Sequence, residues 1–258
     1  MSLLRTFILE AAVAIAYMSA WFAVAMWRRR NDVADVAWGL GFVLLSILAL
    51  VLHRPVSGRS VLVTALVAVW GIRLAIHVHL RNRGKPEDFR YRQWREEWGK
   101  NFFVRTYLQV FLLQAILLFL ISTPVIYVNS AANPPPGYAD ALGAVFWGIG
   151  FLFEAVGDYQ LVLFIRNRAN KGRIMMSGLW RFTRHPNYFG EVTLWWGIFL
   201  IALSVPGAWP AFIGPATITF LILKVSGIPM LEAKYRGNLQ YEAYQRRTSS
   251  FFPLPPRS

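Results

Sequence analysis

The chain contains 258 residues, of which 56% are hydrophobic and 16% are charged, and its formal net charge is +14 at pH 7. This composition is too apolar for an ordinary soluble domain and is typical of an integral membrane protein. Cysteine is absent, which excludes disulfides, thiolate nucleophiles and thiolate-bound metals. Because no separable soluble segment interrupts the chain, we expect a single domain over residues 1–258.

Apolar runs of about 17 to 25 residues, the length that crosses the hydrocarbon core of a bilayer, predict membrane helices. The chain contains them at 7–27, 36–52, 60–80, 107–128, 141–164, 190–205 and 209–230. Lysine and arginine cluster after the first, third, fifth and last runs, whereas the other connections carry only Arg54 and Arg59. By the positive-inside rule, this distribution predicts an all-α integral membrane protein with seven transmembrane helices, its N-terminus outside and its C-terminus cytoplasmic.

Ionisable side chains near the ends of these runs are informative, because charge close to hydrocarbon is costly and usually marks a site. The predicted cytoplasmic half of five helices contains Asp35, Arg73, His77, Glu154, Asp158, Glu191 and Glu232. Such a gathering predicts one polar cavity open to the cytosol. Taken singly, Asp35 and Arg73 also fit side chains that snorkel from helix ends towards water.

Two predicted cytoplasmic loops, residues 81–105 and 166–184, carry fourteen lysine and arginine residues. This charge fits a polyanion such as a dinucleotide, because guanidinium groups bind phosphate with bidentate geometry. Orientation in the membrane and binding of anionic lipid headgroups are the alternatives. Polar side chains suited to sugars and amides lie among these cations: Asn82, Asp88, Tyr91, Asn187 and Tyr188. Their presence favours a ligand over lipid.

Motifs of soluble enzymes are absent or incomplete. Gly39-Leu-Gly41 and Gly148-Ile-Gly150 lack the third glycine of a dinucleotide fingerprint and lie in predicted membrane helices, where small residues permit close packing. The four histidines lack the spacing of a ligand set, so we expect no metal. No serine-centred elbow supports hydrolase chemistry.

A polar block at the start of the sixth run carries a family resemblance. It reads Gly178-Leu-Trp-Arg-Phe-Thr-Arg-His-Pro-Asn-Tyr-Phe-Gly-Glu191. It resembles the C-terminal signature of membrane steroid 5-alpha-reductases and of their bacterial relatives with the domain of unknown function 1295, a superfamily shared with sterol reductases and isoprenylcysteine carboxyl methyltransferases. Asn82-Arg-Gly-Lys-Pro86 is similar to the segment that follows the third span of the steroid reductases, and Glu154 with Asp158 is similar to their pair facing the adenosine end of NADPH.

The resemblance implies NADPH as the cofactor and assigns a role to each matching position. The implied cofactor-binding residues are Arg73, Asn82, Arg83, Lys85, Asp88, Arg90, Glu154, Asp158, Arg166, Lys171, Arg181, Arg184, His185, Asn187, Tyr188, Glu191, Tyr235 and Tyr244. The implied catalytic residues are Asp35, Tyr91 and Glu191. Asp35 stands near the place of the family's catalytic glutamate. The family's catalytic tyrosine falls close to Gly71, which has no hydroxyl, so Tyr91 is the nearest phenol, with packing of its loop as the alternative role.

The implied activity is NADPH-dependent reduction of the C4–C5 double bond of a 4-ene-3-ketosteroid or a similar lipophilic enone. The substrate then comes from the bilayer among membrane lipids, and the cofactor site of this bacterial inner-membrane protein faces the cytoplasm. We expect a monomer that binds no nucleic acid. The alternative enzyme is an S-adenosylmethionine-dependent methyltransferase, whose phosphate-free cofactor leaves the cationic loops unexplained. A transporter or lipid-binding protein is the alternative of a different class.

Overall fold

The computed structural model describes residues 1–87, 89–131 and 134–257. Within these ranges the chain is helical and forms no strand, apart from an isolated bridge between Thr183 and Ser249. Six helices of the described chain are long and apolar enough to cross a membrane: Leu3–Arg28, Val33–Leu52, Gly58–Asn82, Tyr91–Ile121, Tyr138–Arg166 and Trp209–Ala233. The described chain is therefore all-α and consistent with an integral membrane protein, as the sequence predicts.

The helix that corresponds to the sixth predicted span, Pro186–Ala202, has 17 residues. At about 1.5 Å per residue it extends roughly 26 Å, slightly less than the hydrocarbon thickness of about 30 Å. None of its residues is exposed, as expected for a largely apolar helix that is buried in protein. The count of seven spans and their orientation therefore stay predictions.

We number the α-helices of the described chain in order as α1 (Leu3–Arg28), α2 (Val33–Leu52), α3 (Gly58–Asn82), α4 (Phe89–Trp98), α5 (Phe102–Thr106), α6 (Leu113–Ile121), α7 (Thr123–Ser130), α8 (Tyr138–Arg166), α9 (Pro186–Ala202), α10 (Ile213–Phe220), α11 (Ile228–Ala233) and α12 (Leu239–Arg247). The π-helical segment Tyr107–Leu112 joins α5 to α6, and Leu221–Val225 follows α10. Contacts divide the chain into two compact units, Met1–Gly137 with Ile201–Gly214 and Tyr138–Leu200 with Pro215–Ser258.

In the first unit, α2 and α3 approach each other at a pair of glycines. A Cβ atom on Gly39 would lie 2.5 Å from the carbonyl oxygen of Gly71, and a Cβ atom on Gly71 would lie 2.5 Å from that of Gly39. Phe42 and Trp70 pack beside this crossing with ring centroids 5.4 Å apart. Because only hydrogen fits at either glycine, this is the small-residue packing of membrane helices. It confirms the predicted packing role of Gly39.

In the second unit, α8 and α9 meet along a similar seam. A Cβ atom on Gly150 would lie 2.5 Å from the backbone nitrogen of Leu194, and one on Gly197 would lie 2.6 Å from the carbonyl oxygen of Gly143. The predicted packing role of Gly150 is thereby confirmed. A Cβ atom on Gly148 would meet nothing within 4 Å, so the packing role does not extend to Gly148. The backbones of α8 and α9 are therefore in close contact along this seam.

Candidate functional site

Asp35 and Tyr91, predicted separately as catalytic residues, lie together in the first unit. Asp35 is in the first turn of α2, and Tyr91 is in α4. The Tyr91 hydroxyl donates a hydrogen bond of 2.9 Å to Oδ1 of Asp35. A guanidinium nitrogen of Arg81 lies 3.8 Å from Oδ2 of the same carboxylate. The result is a phenol, a carboxylate and a cation gathered at one end of α2.

Hydrogen bonds between the segment before α2 and the segment before α4 hold this pair in place. The backbone N–H of Asn31 donates to a carboxylate oxygen of Glu87 at 2.7 Å. Arg95 forms an ion pair with Glu87 at 3.1 Å, and Arg30 forms one with Asp32 at 2.6 Å. The hydrogen bonds that Arg30 donates to the Asp32 carboxylate also raise the pKa of Arg30. Glu87 was absent from the predicted site, although it is one of few acids in a strongly basic loop.

Unpaired amide groups accompany the Asp35–Tyr91 pair in the first unit. Asn31 is fully buried, and neither its amide nitrogen nor its amide oxygen has a hydrogen-bond partner among the described residues. The buried amide nitrogen of Asn82 likewise has none within the described ranges, while its oxygen accepts from Arg81 at 3.2 Å. Buried polar atoms without partners are rare because they are costly. These amides therefore retain hydrogen-bonding capacity that the described side chains do not use.

The other predicted residues of the first unit are less enclosed. Arg73 is half-buried on α3, whereas Arg83 and Lys85 are exposed in the turn after α3. The Lys85 carbonyl accepts a hydrogen bond of 2.9 Å from Arg30, which fixes the turn. Asp88 and the side chain of Arg90 lie outside the described residues.

In the second unit, a clamp centred on Glu232 joins the turn before α9 to α12. Arg184 donates to Oε1 of Glu232 at 2.8 Å, and Nε2 of His185 lies 3.1 Å from the same oxygen. Gln245 donates to the other oxygen at 2.9 Å. A second nitrogen of Arg184 donates to the carbonyl oxygens of Gln245 and Thr248. Arg184 and His185 thus make structural contacts here, and their role in cofactor binding stays a prediction.

The environment of His185 favours its neutral form. Burial lowers the pKa of His185 and Arg184 adds to this lowering, while the Glu232 carboxylate partly offsets it. The imidazole stacks on Tyr188 with ring centroids 5.6 Å apart. Glu232 belongs to the predicted polar cavity, although the resemblance assigns it no binding or catalytic role. Its charge, opposite to that of the Arg184-His185 pair, was the signal that could have placed it beside them.

A second polar pair links α8 to the beginning of α9. The Asn187 amide donates to Oδ1 of Asp158 at 3.2 Å. Glu191 follows Asn187 by four residues and therefore lies on the same face of α9. Glu154 lies one turn before Asp158 on α8, and both carboxylates are buried. The structure brings Asp158 and Asn187 together as the sequence predicts for one site.

The remaining predicted residues of the second unit form two groups. Arg166, Lys171 and Arg181 are exposed in and around the loop between α8 and α9. Tyr235 stacks on Tyr241 with ring centroids 4.5 Å apart. The Tyr244 hydroxyl donates to the carbonyl oxygen of Trp180. In the described ranges, no three His, Asp or Glu side chains lie close enough to hold a metal ion.

Comparison with known proteins identifies the family to which these residues belong. The family described as "Protein of unknown function (DUF1295)" matches residues 21–248, most of the chain. The chain belongs to the DUF1295 family. An uncharacterized protein of Schizosaccharomyces pombe is 24% identical to this DUF1295 chain over 207 residues, which are 69% of the chain and 59% of the relative. The chain therefore spans about three fifths of that relative's length, and no solved structure matches it significantly. The DUF1295 part of the resemblance is confirmed, and its extension to steroid reductases stays a prediction.

Proposed function

We propose that this protein is a membrane reductase that uses NADPH to reduce the C4–C5 double bond of a 4-ene-3-ketosteroid or a similar lipophilic enone. The observation that carries the proposal is the hydrogen bond of 2.9 Å between the Tyr91 hydroxyl and Asp35. Reduction of an enone places negative charge on the carbonyl oxygen, and a positioned phenol is suited to stabilise it. The phenol missing at residue 71 is thus supplied from α4.

Each member of the cluster has a role in this reaction. Tyr91 turns its hydroxyl hydrogen from Asp35 to the carbonyl oxygen of the substrate as that oxygen becomes an enolate. Asp35 orients the phenol beforehand, and the Arg81 guanidinium, 3.8 Å from Oδ2, offsets the added negative charge. NADPH, when bound, supplies hydride to C5, and a proton from solvent at C4 completes the saturated ketone. The buried, unpaired amide of Asn31 is a further donor for the substrate.

The proposed cofactor contacts rest on groups suited to amides, sugars and phosphates. The buried Asp158 carboxylate accepts a hydrogen bond from the half-buried Asn187 amide, and Glu191 lies one helical turn further along α9. A carboxylate here is suited to accept from the nicotinamide carboxamide or from a ribose hydroxyl. Asn82 offers an unpaired amide nitrogen in the first unit. The exposed cations of the loops are suited to the phosphates.

The membrane arrangement is part of the proposal. We propose seven transmembrane helices with α9 as the sixth, the N-terminus outside and the basic loops in the cytoplasm of a bacterium. The substrate enters from the bilayer, and the protein acts as a monomer. The methyltransferase alternative leaves the cationic loops unexplained, because S-adenosylmethionine carries no phosphate.

Thermal unfolding of the purified protein with added nucleotide tests the proposal. A ligand at about 100 times its dissociation constant stabilises the folded state by about 2.7 kcal/mol. NADPH is expected to raise Tm more than NADH at equal concentration, because its additional phosphate contacts the cations. Asn187→Ala is expected to reduce the shift, whereas Asn101→Ala, at an exposed position, retains it. A shift with S-adenosylmethionine and none with NADPH would overturn the reductase proposal.

A further inference from the structure

A cleft of about 380 Å³ in the second unit has a cationic lining. Arg181 and Arg247 line it, and neither guanidinium forms an ion pair within the described chain. Gln240 adds an amide, and no acidic residue is among the described lining side chains. Two guanidinium groups without a carboxylate partner favour an anion with several oxygens, which they bind in bidentate fashion.

The oxygen atoms beside the cleft that could repel an anion already form hydrogen bonds within the protein. The carbonyl oxygen of Thr248, at the end of α12, accepts a hydrogen bond from Arg184. The Tyr244 hydroxyl donates to Trp180, so Tyr244 presents its ring to the cleft. Among the described lining side chains, the donors left for a ligand are the two guanidinium groups, the Gln240 amide and the Thr248 hydroxyl. Their number and charge match a phosphate group.

The surroundings of the cleft are apolar, although they lie outside the candidate membrane spans. Met176 and Pro256 form part of the lining. Large apolar side chains are exposed on the same segments: Phe182 at 40%, Leu239 at 78%, Phe252 at 64% and Leu254 at 52%. A hydrogen bond of 3.0 Å from the Leu254 N–H to the Phe182 carbonyl holds two of these segments together. Exposed apolar side chains beside cations are typical of a surface that lies in the membrane interface.

We propose that this cleft binds the phosphate group of an anionic phospholipid. Arg181 and Arg247 contact the phosphate, and the acyl chains lie against the exposed apolar side chains. Arg181 and Tyr244 are among the residues that the resemblance implies for NADPH, and this inference assigns them to a lipid of the surrounding bilayer instead. The same phosphate chemistry could also be met by a soluble phosphate compound, and the experiment separates the two sources.

Native mass spectrometry of the purified full-length protein with phosphatidylglycerol and phosphatidylcholine measures lipid binding. Arg247→Gln is expected to weaken phosphatidylglycerol binding about fivefold, the effect of one basic residue near an anionic membrane surface. The matched control is Arg246→Gln, which removes the same charge from an exposed neighbour on α12 outside the cleft lining. The control is expected to bind as the unaltered protein does. Melting temperatures of both variants without lipid establish that they fold.

The outcomes distinguish specific lipid binding in the cleft from nonspecific attraction of anionic lipid to the basic surface. The site is supported if Arg247→Gln loses phosphatidylglycerol binding and Arg246→Gln does not. It also requires that the unaltered protein and both variants bind little phosphatidylcholine. Equal losses in the two variants, or equal binding of both lipids, overturn it. Inorganic phosphate and NADPH are then added as competitors. If they leave the lipid bound, the lipid source is supported, and if either displaces it from the unaltered protein, the cleft belongs to a soluble phosphate and the lipid source is overturned.

Discussion

Replacing Tyr91 by phenylalanine separates a catalytic phenol from a packing residue. The change removes one hydroxyl and with it the 2.9 Å hydrogen bond to Asp35, while the buried ring and its edge contact with Trp94 remain. A hydrogen bond to a charged group contributes about 1.5–3 kcal/mol. The Asp35 side chain is 20% exposed, so water replaces part of that bond. We therefore expect a loss of about 1 kcal/mol of stability, or roughly 2–4 °C in Tm.

In contrast to this small loss of stability, Tyr91→Phe is expected to reduce turnover strongly. Loss of one donor to a developing oxyanion typically lowers kcat by about 100-fold to 1,000-fold. The assay follows NADPH oxidation and the mass of the reduced product with progesterone as the enone. Tyr138→Phe, at a tyrosine that is 96% exposed, is the matched control and is expected to keep both Tm and turnover. Unchanged kcat in a folded Tyr91→Phe protein would refute the role of this phenol and leave it with a packing function alone.

Other residues give independent predictions. Glu191→Ala is expected to lower turnover severely with little change in Tm, since the carboxylate is proposed to contact the nicotinamide; wild-type turnover would remove it from the site. Glu10 is fully buried in α1, and its carboxyl oxygens have no hydrogen-bond partner among the described residues. Because a buried polar group without a partner is costly, Glu10→Leu is expected to stabilise the protein by about 1–3 kcal/mol. A lower Tm in this variant would contradict the prediction. Because burial lowers the pKa of His185, the unfolded chain binds more protons just below the ordinary value of about 6.5. Tm should therefore fall as pH decreases below about 6.5, and less so in His185→Gln; identical pH dependence in both proteins would show that another group is responsible.

The helices could be predicted from apolar length alone, but their interruptions could not. The run 107–128 predicts one helix, whereas α6 ends at Ile121 and α7 begins at Thr123. Pro124 lies in the first turn of α7, where the missing N–H of proline is tolerated. A hydropathy average does not show where a proline begins a new helix. It also cannot distinguish a spanning helix from one buried in protein, which is the ambiguity of α9.

Candidate site residues could be proposed from the sequence, but the contacts between them could not be. Asp35 and Tyr91 are 56 positions apart, and their contact depends on the hydrogen bonds that Glu87 makes to Asn31 and Arg95. The contact between Glu232 and Arg184 likewise depends on how the C-terminal segment packs. Charge density marked both regions in the sequence. The pairing of individual charges is a long-range property, so a single sequence does not specify it.

The close crossing of α2 and α3 at Gly39 and Gly71 limits which substitutions this protein can accept. A Cβ atom on Gly71 would lie 2.5 Å from the Gly39 carbonyl and 2.8 Å from a methyl group of Val43, so a phenol cannot be restored there by a single substitution. A proton donor carried by α4 escapes that restriction, because connecting segments accept substitutions more readily than the helices they join. If the proposed reaction holds, segment 83–98 is the part of the chain whose residues can be exchanged to alter it. Grafting this segment between homologues is accordingly the design route by which reactivity can be varied while the scaffold is kept.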